Sequence, residues 1–127
     1  MKANDVDVAH NNKHFYIGGT STSELAVLKV LELNSDMKEI DCMEFSESGD
    51  NSIYCARVAG ITRTVICATY SNIYLVNFAS KKLNLMTKLL GIHVGVDPIT
   101  DVVMKKNLLF SCATHDDSVR VVKFEFK

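Results

Sequence analysis

Residues 108–123 read LLFSCATHDDSVRVVK, an apolar strand of small residues ending at Thr114, a polar turn, and a second apolar strand. Asp and Ser residues between two such runs tolerate the tight, self-bonded backbone of a turn. The stretch therefore predicts two paired antiparallel strands joined by a short connection.

The same pattern recurs twice upstream. Residues 16–20 followed by 25–29, and residues 65–69 followed by 73–77, have the same order of strand, polar turn and strand. Aligning the three copies makes Leu28, Val76 and Val122 equivalent, and these positions are 48 and 46 residues apart. A period of this length is typical of a repeat architecture in which each copy is one structural unit.

The rest of the chain favours strands as well. About a quarter of the residues are Val, Ile or Thr, while Pro occurs once and Trp is absent. Eleven strands are predicted, at residues 5–9, 15–19, 25–33, 39–46, 52–59, 64–69, 73–79, 83–90, 99–105, 108–114 and 119–126. The segment 82–90 also fits two turns of helix. The predicted fold class is all-β.

The third copy resembles the WD-repeat family of β-propellers. The resemblance rests on Asp116 in the tight turn, on residues 119–121 as a third blade strand, and on Gly91-Ile92-His93 as a variant of the family's Gly-His element. The Trp-Asp dipeptide is replaced in all three copies, by Leu28-Lys29, Val76-Asn77 and Val122-Lys123. The resemblance therefore implies a partial side-chain network, with a structural hydrogen bond between His93 and Asp116.

Four-stranded blades divide the chain into three units, at residues 5–46, 52–90 and 99–126, and the outer strand of the last blade is missing. Propellers have 4–8 blades, so three blades form an arc. Only four residues precede the first predicted strand, so we expect that the chain does not close on itself. The arc is expected to be the C-terminal part of a longer propeller. The expected partners are a protein partner, further blades from another chain, or a second copy in a homo-oligomer.

Charge and hydropathy limit the classes of function. The net charge is −1, with −5 in residues 1–60 and +4 in residues 61–127, which would favour head-to-tail contact. There is no basic stripe, so we expect no nucleic-acid partner. There is no long apolar run and no signal-peptide pattern at the start, so we expect no membrane partner and an intracellular location, cytoplasmic or nuclear.

The sequence predicts no catalytic, metal or cofactor site. The four cysteines contain no Cys-x-x-Cys pair and are interpreted as reduced core residues. His10 and His14 lack the ligand spacing of a metal site. His93 and His115 lie near several aspartates, an arrangement that would suit an enzyme, but an exposed loop or the structural bond between His93 and Asp116 is preferred.

The resemblance implies a non-catalytic scaffold for protein–protein interaction. The candidate partner contacts lie in turns expected at one face of the ring, namely His14, Arg63 and Lys106. The alternative is a self-contained β-barrel that binds a small apolar ligand, since eleven strands are enough to close one.

Overall fold

The computed structural model describes residues 1–46, 50–59, 64–93, 98–113 and 119–123. The described chain contains eleven β-strands, so the predicted all-β class is confirmed. The first sheet contains β1 (Lys2–Val8), β2 (His14–Thr20), β3 (Ala26–Glu32) and β4 (Glu39–Phe45). The second sheet contains β5 (Cys55–Ala59), β6 (Thr64–Ala68), β7 (Ile73–Ala79) and β8 (Lys82–Leu89). The third sheet contains β9 (Ile99–Lys105), β10 (Leu108–Ala113) and β11 (Arg120–Lys123).

Each sheet is a meander in which every strand pairs antiparallel with the next strand along the chain. The segment that fitted either a strand or a helix is strand β8, which pairs with β7 from Ala79 opposite Lys82 to Ile73 opposite Leu89. In the described part of the chain the third sheet has three strands, while the other two sheets have four.

The first two sheets stack in the same orientation. The Asp5 carboxylate accepts a hydrogen bond from Ala56 N (2.9 Å), and the Asp7 carboxylate accepts one from Val58 N (2.8 Å). Since these contacts advance together along both strands, β1 and β5 run side by side in the same direction. At the opposite edge, Asp41 of β4 accepts a hydrogen bond from Leu83 N of β8 (2.8 Å).

The third sheet continues this arrangement, with β9 packed beside β5. Ile99 N at the start of β9 donates to Thr69 O (3.0 Å), just after β6 ends. The start of β5 also lies at that end of the second sheet, because Tyr54 N donates to Ala68 O (2.9 Å). The strands β1, β5 and β9 therefore form one edge of the stack, called here the inner edge.

Two apolar cores lie between the three sheets. The core between the first and second sheets includes Tyr16, Leu28, Val65 and Tyr74, and the core between the second and third includes Ile66, Ile73, Ile99 and Leu109. Alternate residues of β6 enter different cores, so the middle sheet is buried on both faces. Burial of this apolar surface is the main force that holds the three sheets together.

Two adjacent glycines let the chain segments approach closely in the first sheet. A Cβ atom at Gly18 would lie 2.6 Å from Ile53 Cγ2, and a Cβ atom at Gly19 would lie 1.9 Å from Lys2 O. A side chain at Gly19 would therefore collide with the backbone of β1, and one at Gly18 would displace the residue that leads into β5. The Gly-Gly pair of the first repeat copy has a packing role.

The alignment of the repeats is one residue out of phase in its first copy. Leu28 and Val76, which it equates, both lie in the core between the first and second sheets. Because these sheets share one orientation, Leu28 faces the following sheet whereas Val76 faces the preceding one. Val122 also faces the preceding sheet. The cause is that β7 is buried on both faces. Its sequence therefore lacks the alternation of polar and apolar residues that would show which side chains face which sheet.

Two further expectations need correction. The described strands form three separate sheets and none of these closes on itself, so the β-barrel alternative is wrong as a description of this fold. The four cysteines are free, as expected, but they are not all core residues. Cys55 and Cys67 are buried and Cys112 is half-buried, whereas Cys42 is exposed, because it lies on the outward side of β4 in the first sheet.

Candidate functional site

Charged side chains connect all three sheets along the inner edge. Arg57 of β5 forms an ion pair with Asp5 of β1 through Nη1, and its Nε lies 3.6 Å from the Asp101 carboxylate of β9. One guanidinium group from the middle sheet thus reaches a carboxylate on each neighbouring sheet. The side chains of Arg57 and Asp101 are 37% and 62% exposed. Solvent weakens such pairs, and the arginine remains accessible from outside.

A pair of tyrosines lies near one end of the inner edge. Tyr54 immediately precedes β5, and Tyr70 lies in the turn between β6 and β7. Their rings meet edge to face, with centroids 5.1 Å apart and an interplanar angle of 73°. Both side chains are half-buried, so each presents part of its ring to solvent. From Tyr54 to Arg57 is three residues along one extended chain, or roughly 10 Å.

The environment of Tyr54 disfavours its ionised form. Desolvation, followed by the hydrogen bond with Tyr70 and the interaction with its charge, raises the pKa of Tyr54 from 10.0 to about 12. The hydroxyl is therefore protonated throughout the physiological range, and this tyrosine is a neutral amphipathic surface group rather than a proton acceptor.

Cys55 lies beside this edge and is not poised for nucleophilic chemistry. Its Sγ is 3.9 Å from the Asp101 carboxylate. Burial raises the pKa of the Cys55 thiol to about 12, and the carboxylates of Asp5 and Asp101 act in the same direction. A thiol is reactive as its thiolate, so Cys55 is a protonated, buried residue at neutral pH.

His93 is buried, and its described partner is Ser111. Its Nε2 lies 2.8 Å from Ser111 Oγ on β10. The side chain is 2% exposed, and it comes from the connection that leads into β9. The predicted partner, Asp116, lies outside the described residues. Ser111 was missed in the sequence because serine in an apolar strand gives no signal of a buried partner.

A similar polar cluster precedes the second sheet. Asp50, in the connection that leads into β5, accepts hydrogen bonds from the Tyr74 hydroxyl and from Asn72 Nδ2, the latter at 3.0 Å. The Asn72 side chain also accepts a hydrogen bond from Gly91 N (2.9 Å). Asp50 and His93 thus act alike: each is a buried polar group that fastens a connection between sheets to the sheet that follows.

Two of the three predicted partner contacts, His14 and Lys106, lie in the described chain, at the β1–β2 and β9–β10 connections. His14 begins β2 and packs edge to face on Phe78 of the second sheet, with ring centroids 5.2 Å apart. Lys106 is exposed in the turn between β9 and β10, with a φ of 57°. Arg63 lies outside the described residues. His14 is therefore a packing contact between sheets, and Lys106 is a turn residue.

Tyr54, Arg57 and Tyr70 are the functional candidates that sequence reasoning missed. A usable signal was present, because Tyr70 stands in a polar turn and Tyr54 at a strand start, where aromatic side chains are often exposed for binding. Tyr and Arg are the residue types that contribute most to binding energy in protein interfaces. The inner edge is thus chemically suited to contact a protein surface.

The fold and this edge define an all-β protein of three stacked meander sheets with an aromatic and charged inner edge. Searches against protein-family models, curated proteins and solved structures found no match. In the described part of the chain, no group of three or more His, Cys, Asp or Glu side chains is arranged to hold a metal ion. No described helix has the length and apolar character needed to cross a membrane.

Proposed function

We propose that this chain is a segment of a WD-repeat-like β-propeller that serves as a non-catalytic scaffold for protein–protein interaction. The observation that carries the proposal is the set of Tyr54, Tyr70 and Arg57 on the inner edge, where one strand from each sheet lies side by side. In a propeller, sheets of this kind surround a central channel. The inner edge would then border that channel and contact the partner.

Two further features support the proposal. The sheets stack in one orientation, as blades of a propeller do, instead of packing as two opposed layers. The His93–Ser111 pair between the second and third sheets also resembles part of the family's network of His, Asp, Ser/Thr and Trp side chains. We place the scaffold inside the cell, in the cytoplasm or nucleus, where free cysteines such as these four persist.

Differential capture tests the proposed interaction. The tagged wild-type chain, a Tyr54→Ala/Tyr70→Ala variant and a Met86→Ala control are expressed in cells, and the proteins bound to each are identified by mass spectrometry. Met86 is 52% exposed on β8, away from the inner edge, so its replacement controls for the loss of an exposed apolar side chain. Circular dichroism checks that all three chains are folded.

The expected result is a protein that binds the wild-type chain and the control but not the double variant. With that protein purified, the double variant should bind at least tenfold more weakly, a loss of about 1.4 kcal/mol. The same proteins captured by all three chains, or none captured by any, would contradict a partner site at the inner edge.

A further inference from the structure

The outer face of the third sheet carries an exposed apolar row. Val103, Phe110 and Val121 are paired across β9, β10 and β11, so their side chains share a face. Their sequence neighbours on the other face, such as Leu109, enter the core with the second sheet. Val103 and Val121 are 59% and 54% exposed. We call this surface face 3.

Face 3 also contains a recess and a basic margin. The recess has a volume of about 120 Å³ and is lined in part by Val103, Phe110 and Val119. The adjacent row, Lys105, Leu108 and Lys123, follows the same register, and both lysines are exposed. Asp101 also lines the recess, but its carboxylate lies 3.6 Å from Arg57 Nε.

The outer face of the first sheet, face 1, is apolar with an acidic margin. One cross-strand row contains Val8, Phe15 and Leu31 and ends at Glu39 on β4. The next row contains Val6 and Ile17 and continues through Lys29 on β3 to Cys42 on β4; Val6 and Val8 are 56% and 42% exposed.

The neighbours of Phe15 and Leu31 on the other face, Tyr16 and Val30, belong to the core with the second sheet. The margin on β4 also includes the exposed Glu44. Glu39 is 2.8 Å from Lys29, whose charge offsets part of its own.

We propose that face 1 and face 3 are the two sides of one interface, through which a second copy of this chain docks head to tail. Both faces have an apolar centre, and their margins have opposite charge, acidic on face 1 and basic on face 3. Two copies of the same face would bring like charges together, which is unfavourable in an interface. Charge therefore selects the head-to-tail contact.

The stacking orientation supports the same pairing. Within the chain, the first strand of each sheet lies beside the first strand of the sheet before it. A face 1 placed on face 3 in that orientation continues the stack, with β1 of the second copy beside β9. The row Lys105, Leu108 and Lys123, at the end of β9, then overlies the row of Val8, Phe15 and Leu31, at the end of β1. Lys123 comes next to Glu39.

Each copy has one face of each kind, so two copies form the contact twice if the arc of sheets closes. The product is a symmetric dimer of six sheets and about 28 kDa, twice the 14.1 kDa chain. This inference is independent of the tyrosine site on the inner edge, since Tyr54, Tyr70 and Arg57 belong to neither face; Asp101, which lines the recess of face 3, contacts that site only through Arg57.

Two charge variants and their mixture test the proposal. Val6→Lys disables face 1 and Val103→Glu disables face 3, because these two residues face each other when β1 of one copy lies beside β9 of the other; a Met37→Glu control alters a residue in the β3–β4 turn that is 56% exposed. Masses are measured by light scattering and sedimentation from 1 to 200 µM, a range set by about micromolar self-association. Circular dichroism verifies the β-sheet content of each variant.

We expect a wild-type dimer, an unchanged control, and at least tenfold weaker self-association in each single variant. The equimolar mixture should regain dimers, because it combines one intact face 1 with one intact face 3 and brings the two introduced side chains, which have opposite charge, together at the other contact. A wild-type monomer across the range would overturn the proposal. So would a dimer lost in only one of the two variants, or a mixture that stays monomeric.

Discussion

Tyr54 is the residue whose protonation reports most directly on the candidate site. Its pKa is about 12 in the folded chain, whereas a tyrosine in an unfolded chain ionises near 10. The protonated form is therefore favoured by folding. The stabilisation is complete below pH 10 and is lost as the pH rises from 10 to 12.

We expect the free energy of unfolding of the wild-type chain to fall over that range more steeply than that of Tyr54→Phe, measured by urea denaturation at each pH. In Tyr70→Phe the pKa of Tyr54 should move back toward its usual value, because the hydrogen bond to the Tyr70 hydroxyl is lost. Identical pH profiles for the wild type and Tyr54→Phe would contradict the assigned environment.

Single residues show how far the sequence predicted the site. His93 is buried against Ser111, whereas its Gly-x-His context predicted a bond to Asp116, which lies outside the described residues. Its bond to Ser111 depends on which face of β10 the serine occupies, and local sequence does not fix that when both neighbours are apolar. The meeting of Tyr54 and Tyr70 depends on the pairing of β5 with β6, a tertiary relation that composition and spacing do not encode.

At the scale of elements, the β7–β8 hairpin contains two strained turn residues. Ser80 and Lys81 connect the strands with φ values of 53° and 61°. Two consecutive positive φ angles are required by the type I′ hairpin turn, in which Asn and Gly are favoured. A non-glycine residue in this region costs about 1–2 kcal/mol, while the flexibility of glycine in the unfolded chain costs about 0.5–1.

Lys81→Gly should therefore stabilise the protein by about 0.5–1 kcal/mol and raise the Tm by about 2–4 °C, measured by calorimetry. Lys82→Gly is the matched control, because Lys82 is an exposed lysine within β8. Glycine in that strand should lower the Tm. A decrease for both variants would mean that the turn is not strained.

The eleven strands were predictable because turn residues separate them. Which side chains of a strand face which neighbouring sheet was not predictable for some strands. In β1 and β4 exposure varies along the strand, and one side of the sheet remains outward. In β6 and β7 nearly every residue is buried, because the middle sheet has a core on each side. A strand without polar residues does not show which of its side chains face which side of the sheet, and this is why Leu28 was equated with Val76.

At the scale of the whole molecule, carboxylates of the first sheet secure the second. Asp7→Ala removes the acceptor of Val58 N and should cost about 1–2 kcal/mol in the free energy of unfolding, since a partly buried amide loses its partner. Amide exchange at Val58 should become faster. Asp36→Ala, in the exposed β3–β4 turn, is the control and should change stability by less than about 0.5 kcal/mol.

Unchanged stability and unchanged exchange at Val58 in Asp7→Ala would show that the two sheets are held by their apolar core alone. The apolar core between the two sheets is unchanged in the variant, which should therefore remain folded. Circular dichroism would verify that its β-sheet content is unchanged.

Carboxylates of the first sheet also bear on aggregation. The edges of the second sheet are β5 and β8, and an edge strand with free amides can recruit a strand from another molecule and start a fibril. Here Asp5 and Asp7 occupy amides of β5, and Asp41 occupies one of β8. Inward carboxylates at those positions disfavour growth of the second sheet along the hydrogen-bonding direction, so the strand edges of the middle sheet are protected by its neighbour in the stack.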